Sequence, residues 1–536
     1  MDTTRELSSP RRVTPLEPPS ASGLRPVSIL FEPVRTQDLR RDAPAGLADL
    51  NLDVVITALT TSRTGYELAS LFTTPLPDPA AVTYRHDVFR DLDRPEVESA
   101  VREFSDRLEG VRRQVQSAAR DQHGIGWQRR CWYAEAIAAY CRAARDLAER
   151  FESAPLRSTG LRAVRDHLVE YVASTDFTTM ASTTQRVLDD LQQVRFGLRI
   201  RGAKVTVSRD APPVDYSVEV TEVFDRFRRS DTTEPAPPGR KGAALALTHV
   251  EAQVVDRVAL LWPAQFDALT ALCTTYPSFA DPVLDGFQRD AQFYLAYLDY
   301  ISPVRKTGLS FCYPQVLTDE RRCQVLESFD LALAHKLSTD GSTAVTNDIS
   351  LTGQERILVV TGPNHGGKTT FARMVGQVHH LAAIGVPIPG RSADVPLADE
   401  VFTHFERAEN LEDDQGKLED DLRRLHHVLD SATPRSVVIL NEVFTSTTLA
   451  DARAMGAKVI DHLTERGTVA VYVTFVDELA RLNTSTVSLV SQVRDEDPSQ
   501  RTFKIVRQPA NGIAHAIALA GRYGLTREQL RDRITP

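Results

Sequence analysis

The run ILVVTGPNHGGKTTFARMVGQ places Gly362, Gly367, Lys368 and Thr369 in the spacing G-x-x-x-x-G-K-T. Each residue type in that pattern has a physical task. The glycines let the backbone bend until successive N–H groups face phosphate oxygens. A helix beginning near Gly367 adds its positive end. Lys368 reaches the β- and γ-phosphates, and the Thr369 hydroxyl suits Mg²⁺. Gly362, Pro363, Asn364, His365, Gly366, Gly367, Lys368, Thr369 and Thr370 are therefore the candidate nucleotide-binding set, with ATP and Mg²⁺ as the expected cofactors. Further along, the apolar run SVVIL ends in Asn441-Glu442. Glu442 at a strand end can orient or deprotonate a water, so Lys368 and Glu442 form the candidate catalytic pair. Thr369 and Asn441 are the candidate metal-facing residues. An aspartate commonly stands at such a strand end; Asn441 accepts a hydrogen bond from metal-bound water but adds no charge. Binding is expected to survive and hydrolysis to be slow.

These residues need a strand before the glycines, a helix after them and a second strand beside the first. The sequence supplies that grammar. Beyond about residue 321, short β-branched runs (ILVVTG, SVVIL, VAVYVTF) alternate with helical stretches, the pattern of an α/β domain with a mostly parallel sheet. Upstream, residues 28–320 read as mainly helical. VESAVREFSDRLEGVRRQV and YAEAIAAYCRAARDLAERFESA are amphipathic. Pro75, Pro77 and Pro79 mark a loop, and FGLRIRGAKVTVSRD alternates with period two, as one or two strands do. Residues 1–27, rich in Pro, Ser, Thr and Arg, read as a disordered tail, and RSDTTEPAPPGRKG reads as a loop. The expected architecture is multidomain, a helical domain at 28–320 followed by the α/β domain at 321–536.

Composition narrows the function classes. The 536 residues are 42% apolar and 25% charged, which excludes a collagen-like or wholly disordered chain. No apolar run is long enough for a transmembrane helix, and no secretory leader is legible, so a cytoplasmic protein without a membrane partner is expected. Five widely spaced cysteines without a CxxC pair indicate neither a disulfide framework nor a zinc site. A net charge of −9 argues against a generally basic nucleic-acid coat but leaves room for a local basic stripe. Candidates for such a stripe are Arg112, Arg113, Arg120, Arg129, Arg130, Arg142 and Arg145; solvated helix arginines are the plainer reading.

The block TGPNHGGKTT resembles TGPNMGGKST of the MutS family of mismatch-repair ATPases, and the Pro-Asn pair is far more specific than the bare loop. LAAIGVPIPG, VTNDISL, STTLADA and GIAHAIALAGRYGLTREQL resemble further segments of that family's ATPase domain. Upstream and more weakly, FYLAYLDYISPVRKTGLSFCYP resembles the helix preceding that ATPase domain, and PLPDPAAVTYRHDVFRDL resembles the family's helical core, or lever, domain. The resemblance implies an ABC-like P-loop ATPase domain that dimerises and binds DNA. Nothing resembles the family's mismatch-reading domain with its Phe-x-Glu wedge, nor a nuclease-like extension.

The chain departs from the family in three places. Asn441 replaces the metal-binding Asp. In VTFVDEL, Phe475 replaces the active-site His and cannot hydrogen-bond a water or phosphate. Gly416-Lys417-Leu418 stands where the family's trans-acting Ser-Thr-Phe segment approaches the partner's γ-phosphate. Lys417 is a candidate trans-acting residue, or equally a solvated lysine in an acidic loop.

Two readings of function follow. The first is a homodimeric, nucleotide-operated clamp on double-stranded or branched DNA in repair or recombination, reading shape and phosphates rather than a mispair. The second is a nucleotide-dependent scaffold with weak or no hydrolysis and a protein partner. An unrelated P-loop kinase or small-molecule ATPase is a third, for which no acceptor motif is present.

Overall fold

The structure is a computed structural model that describes residues 27–32, 39–40, 44–120, 126–202, 204–209, 249–317, 322–406, 417–494, 500–510 and 527–534. Residues 1–26 of the expected tail, the loop at 229–242, Gly416 and most of the expected C-terminal helical element lie outside them. The chain divides into two compact units. One comprises 1–21, 95–155 and 163–288, the other 22–94, 156–162 and 289–536. Contact thus groups the chain differently from the sequence boundary at 320/321: residues 22–94 cluster with the α/β part.

In the first unit, the helix Pro95–Arg120 buries Val97, Val101, Phe104, Leu108, Val111 and Val115. Those steps of four and three keep one face apolar. It lies antiparallel to the helix Gly126–Ser153, because the cross-links run in opposite directions: Arg150 pairs with Glu103, Arg107 with Asp146, and Gln114 with Glu135. Aromatic rings fill the interior, with Tyr133 and Tyr140 against Phe279 and with Phe104 and Phe151 against Phe287. The helix Thr175–Gln192 is capped by Ser174, whose hydroxyl accepts from Phe177 N at 3.2 Å. The period-two stretch forms an antiparallel hairpin, Gly197–Arg201 with Lys204–Ser208.

The second unit is built on a six-stranded sheet. Its strands are β1 (Ile357–Thr361), β2 (Val401–Phe405), β3 (Val437–Asn441), β4 (Val469–Val473), β5 (Thr486–Val493) and β6 (Arg501–Arg507), in the spatial order β2-β3-β4-β1-β5-β6. All neighbours are parallel except β5 and β6. Every residue of β1, β3 and β4 is buried, as expected for parallel strands covered on both faces. Helices α1 (Leu331–Thr339), α2 (Lys368–Ala383), α3 (Lys417–Ser431) and α4 (Leu449–Arg466) accompany the sheet.

The helix α2 is buried almost all round, and the chain's early segment covers part of it. Gln377 donates to the Leu50 carbonyl at 2.9 Å, Arg373 donates to that of Asp49 at 2.9 Å, and His380 Nε2 meets Phe72 O at 2.8 Å. Pro79 is not part of the expected loop but opens the helix Pro79–Leu92, behind an Asp78 cap that accepts from Ala81 N at 2.9 Å. From that helix the buried Arg85 donates to Leu30 O and Ile384 O. The segment 28–31 is held further by Ser28 on Asp290 at 2.6 Å and by Tyr84 on Ser28 O at 2.6 Å.

Candidate functional site

In an open parallel sheet, ligands settle beyond the carboxyl ends of the strands, where the strand order switches direction. Here β1, β3 and β4 end in Thr361, Asn441 and Val473. Register aligns Asn441 with Val473 and Val473 with Val360. The loop 362–367, Glu442 and Thr474-Phe475 therefore emerge on the same side.

The loop's bends are where the motif requires them. Gly362 has φ +116° and Gly367 φ +90°, both in the region that favours glycine. His365 is also left-handed, at φ +59°. Gly367 is the N-cap of α2 and carries no side-chain cap, so the first N–H groups of the helix stay available to a ligand. The Lys368 ammonium donates to Gly362 O at 3.0 Å and Pro363 O at 3.1 Å, and meets Asn364 Oδ1 at 3.5 Å. Burial lowers its pKa from the ordinary lysine value; the Glu442 carboxylate opposes that shift and Arg501 adds to it.

A cavity of about 760 Å³ opens here. Asn364, His365, Gly366, Gly367, Lys368, Thr369, Thr370 and Glu442 line its polar side. Leu333, Leu337, Ala344, Val345, Met374 and Phe503 line an apolar side. The lining thus combines groups suited to an anion with apolar side chains suited to a flat ring, the combination a nucleotide presents.

Eight of the sequence-derived residues thus meet at one cavity, and Gly362 and Pro363 contribute through carbonyls on Lys368. Glu442 stands in a left-handed turn at φ +57°, its N–H held by Val473 O at 3.0 Å, with Phe444 also left-handed at φ +66°. Two non-glycine residues in that region cost roughly 1–2 kcal/mol each and mark a constrained turn. Asn441 is buried, and its Oδ1 has no hydrogen-bond partner among the described residues. It is not among the cavity-lining residues. A buried acceptor left open fits the water shell of Mg²⁺, which retains several waters when bound. Thr369 offers a half-buried hydroxyl, and Glu442 and Asp330 are carboxylates lining the same cavity. Phe475 is 51% exposed. Lys417 opens α3, and its side chain lies outside the described set.

Sequence reasoning missed the residues that flank the loop from β5 and β6. Ser491 donates to Gly366 O at 2.6 Å, and Arg501 Nε donates to Asn364 O at 3.3 Å. Phe503 faces Gly367 from φ +59°. Asn347 holds that unusual backbone on both sides, donating to Phe503 O at 3.1 Å and accepting from Ile505 N at 2.7 Å. No local spacing announces any of them. Of the candidate arginine stripe, Arg112 is bound to Asp285 and Gln288, and Arg113 to Glu109. Arg130 lies over Trp127 and Arg145 over Phe177. No described helix is long and apolar enough to cross a membrane.

Residues 358–525 match the family model of MutS domain V. A "DNA mismatch repair protein MutS" from Shouchella clausii is 34% identical over 139 residues, covering 26% of this chain and 16% of that protein. An "Endonuclease MutS2" from Gemmatimonas aurantiaca is 28% identical over 189 residues, 35% of this chain and 23% of that one. A "DNA mismatch repair protein MSH3" from Debaryomyces hansenii is 28% identical over 166 residues, 31% and 16% respectively. The chain thus matches less than a quarter of the length of each of these relatives.

Proposed function

Because the chain belongs to the MutS family through its domain V, we propose that it is an ATP-binding, slowly hydrolysing ATPase that works as a nucleotide-operated clamp on double-stranded or branched DNA. The observation that carries the reading is the convergence of Lys368, Thr369 and Glu442 on one cavity that apolar side chains also line. In this reading residues 321–536 are the ATPase domain and the helical part upstream is the lever. The protein acts as a cytoplasmic homodimer in repair or recombination and does not insert a wedge at a mispair.

In this reading the residues divide the work. The loop N–H groups and the end of α2 hold the phosphates. Lys368, aimed by the carbonyls of Gly362 and Pro363, places its charge against them. Bound Mg²⁺ supplies charge neutralisation on the phosphate oxygens, and Thr369 and Asn441 are the residues that would face it. Glu442 orients a water for attack and takes up its proton. Leu333, Val345 and Phe503 cover the base.

The exposed Arg199, Arg201 and Lys204 on the hairpin Gly197–Ser208 are the better candidates for DNA phosphates than Arg112 and Arg113, which are paired with acids. Exposed Phe475 and uncharged Asn441 favour one second reading, a nucleotide-dependent scaffold with little turnover.

The test is ATP binding and turnover with linear and four-way DNA at two salt concentrations. DNA-stimulated turnover, with DNA affinity falling steeply with salt, supports the clamp. Replacing Arg199, Arg201 and Lys204 together by Ala should weaken DNA binding at low salt by roughly tenfold or more and flatten the salt slope. Nucleotide binding without turnover or DNA response supports the scaffold instead.

A further inference from the structure

Ser491 is a buried polar residue against the phosphate loop that no motif contains. It lies on β5, 2% exposed, opposite Ile505 of β6. The β5–β6 register shifts between Ser491 and Val493, and such irregularities re-aim side chains. Here the hydroxyl donates to the carbonyl oxygen of Gly366 at 2.6 Å. The same side chain occupies the space beside two loop glycines. A Cβ at Gly366 would overlap the Ser491 Oγ, and one at Gly362 would come within 3.0 Å of the Ser491 Cβ and backbone N. Ser491 thus crowds both positions, together with the Pro363 carbonyl at Gly366 and the positive φ at Gly362.

We propose that Ser491 is a positioning residue for the phosphate loop: its hydroxyl fixes the peptide between Gly366 and Gly367 so that the Gly367 N–H faces the bound phosphates. The proposal rests on the reading that this loop holds nucleotide. In a trans peptide the C=O and N–H point to opposite sides. Holding the Gly366 carbonyl on Ser491 therefore directs the following N–H away from β5. Resistance to turning this peptide over is small, because both flanking residues are glycine and Gly367 already sits at φ +90°. Turned over, it would present a carbonyl oxygen to an anion and withdraw a donor from it. A donor at β5 biases the pair toward the anion-accepting state, and the apparent dissociation constant scales inversely with that state's population.

The experiment compares the intact protein with Ser491→Ala and Ser491→Cys, using ADP and adenosine as probes in competition with a fluorescent ADP analogue. Ser491→Ala should raise the Kd for ADP by roughly five- to tenfold, the scale of one lost hydrogen bond. Its affinity for adenosine, which has no phosphate, should stay within twofold. Ser491→Cys, of similar size and a weaker donor, should fall between wild type and Ala. An ADP affinity unchanged in Ser491→Ala overturns the proposal, and so does an equal loss for adenosine, which would mark a general packing defect. Lys368→Ala separates the two levels. If that variant loses ADP while Ser491→Ala does not, the loop reading stands and the Ser491 role falls. If wild type and Lys368→Ala bind ADP alike, the loop reading falls and takes this proposal with it.

Discussion

The ends of β1 and β3 are separated in the sheet only by β4, yet their side chains are held very differently. At the end of β1 each part of the phosphate-binding pattern is present and each is held: the glycines by backbone geometry, Lys368 by loop carbonyls, Gly366 by Ser491. At the end of β3 a constrained turn still presents Glu442, but Asn441 leaves a buried oxygen without a partner. At the end of β4, Phe475 presents an exposed ring that offers no hydrogen bond. In the proposed reading, phosphate binding belongs to the first of these ends and hydrolysis to the others, so the two can be altered separately.

The largest expected effect breaks the β1 side. Lys368→Ala should lower ADP and ATP affinity by roughly a hundredfold, about 2–3 kcal/mol, the scale of hydrogen bonds to a charged group, read by calorimetry. A loss under threefold would mean the loop is not the phosphate site. Next comes the β3 side. Glu442→Gln should reduce turnover by about a hundredfold, the lower end for a general base, with nucleotide affinity changed by no more than a few-fold. If both fall together, the two ends are not separable. Third, Asn441→Asp should raise Mg²⁺-dependent turnover several-fold. In the ligand-free protein it places a carboxylate where a neutral oxygen already lacked a partner, at a cost of roughly 1–3 kcal/mol. The melting temperature should therefore drop without ligand and recover with Mg²⁺ and ATP.

The smallest effect is in pH. Lys368 has its pKa lowered by burial, so the folded protein binds fewer protons there than the unfolded chain does. Its contribution to ligand-free stability rises with pH in the window below the ordinary lysine value. Nucleotide affinity should move the opposite way as the ammonium deprotonates. A titration in which both rise together would contradict this. On α2, burial pushes His379 and His380 down to about 4. The unfolded chain takes up those protons near pH 6.5 and the folded one does not. Stability should therefore fall between about pH 6.5 and 4, and His380→Gln should flatten that loss.

Much of the sheet was legible, because parallel strands covered on both faces read as continuous apolar runs. ILVVT, VVILN and VAVYV became β1, β3 and β4. The loop was legible because phosphate binding needs glycine and lysine at fixed spacing. The arginine stripe was not, because periodicity puts charges on one helix face without saying which acids face them. Arg112 is used by Asp285, far along the chain. The grouping of residues 22–94 with the α/β part was equally hidden. It depends on the fit of Leu50 and Phe72 to α2 and on the buried Arg85, whose partners are carbonyls that any residue type provides.

What the sequence alone determined is the chemistry of consecutive residues: a strand, a glycine-bent loop and a helix start, which local backbone geometry compels. Tertiary structure decided what closes around them. Ser491, Arg501 and Phe503 reach the loop because β5 pairs with β1 and β6 pairs antiparallel with β5, with a register shift at Ser491, and Asn347 holds Phe503 from a strand outside that sheet. Those contacts join residues more than a hundred positions apart in some cases, as between Ser491 and Gly366. Their geometry comes from strand register and burial, neither of which a local spacing encodes.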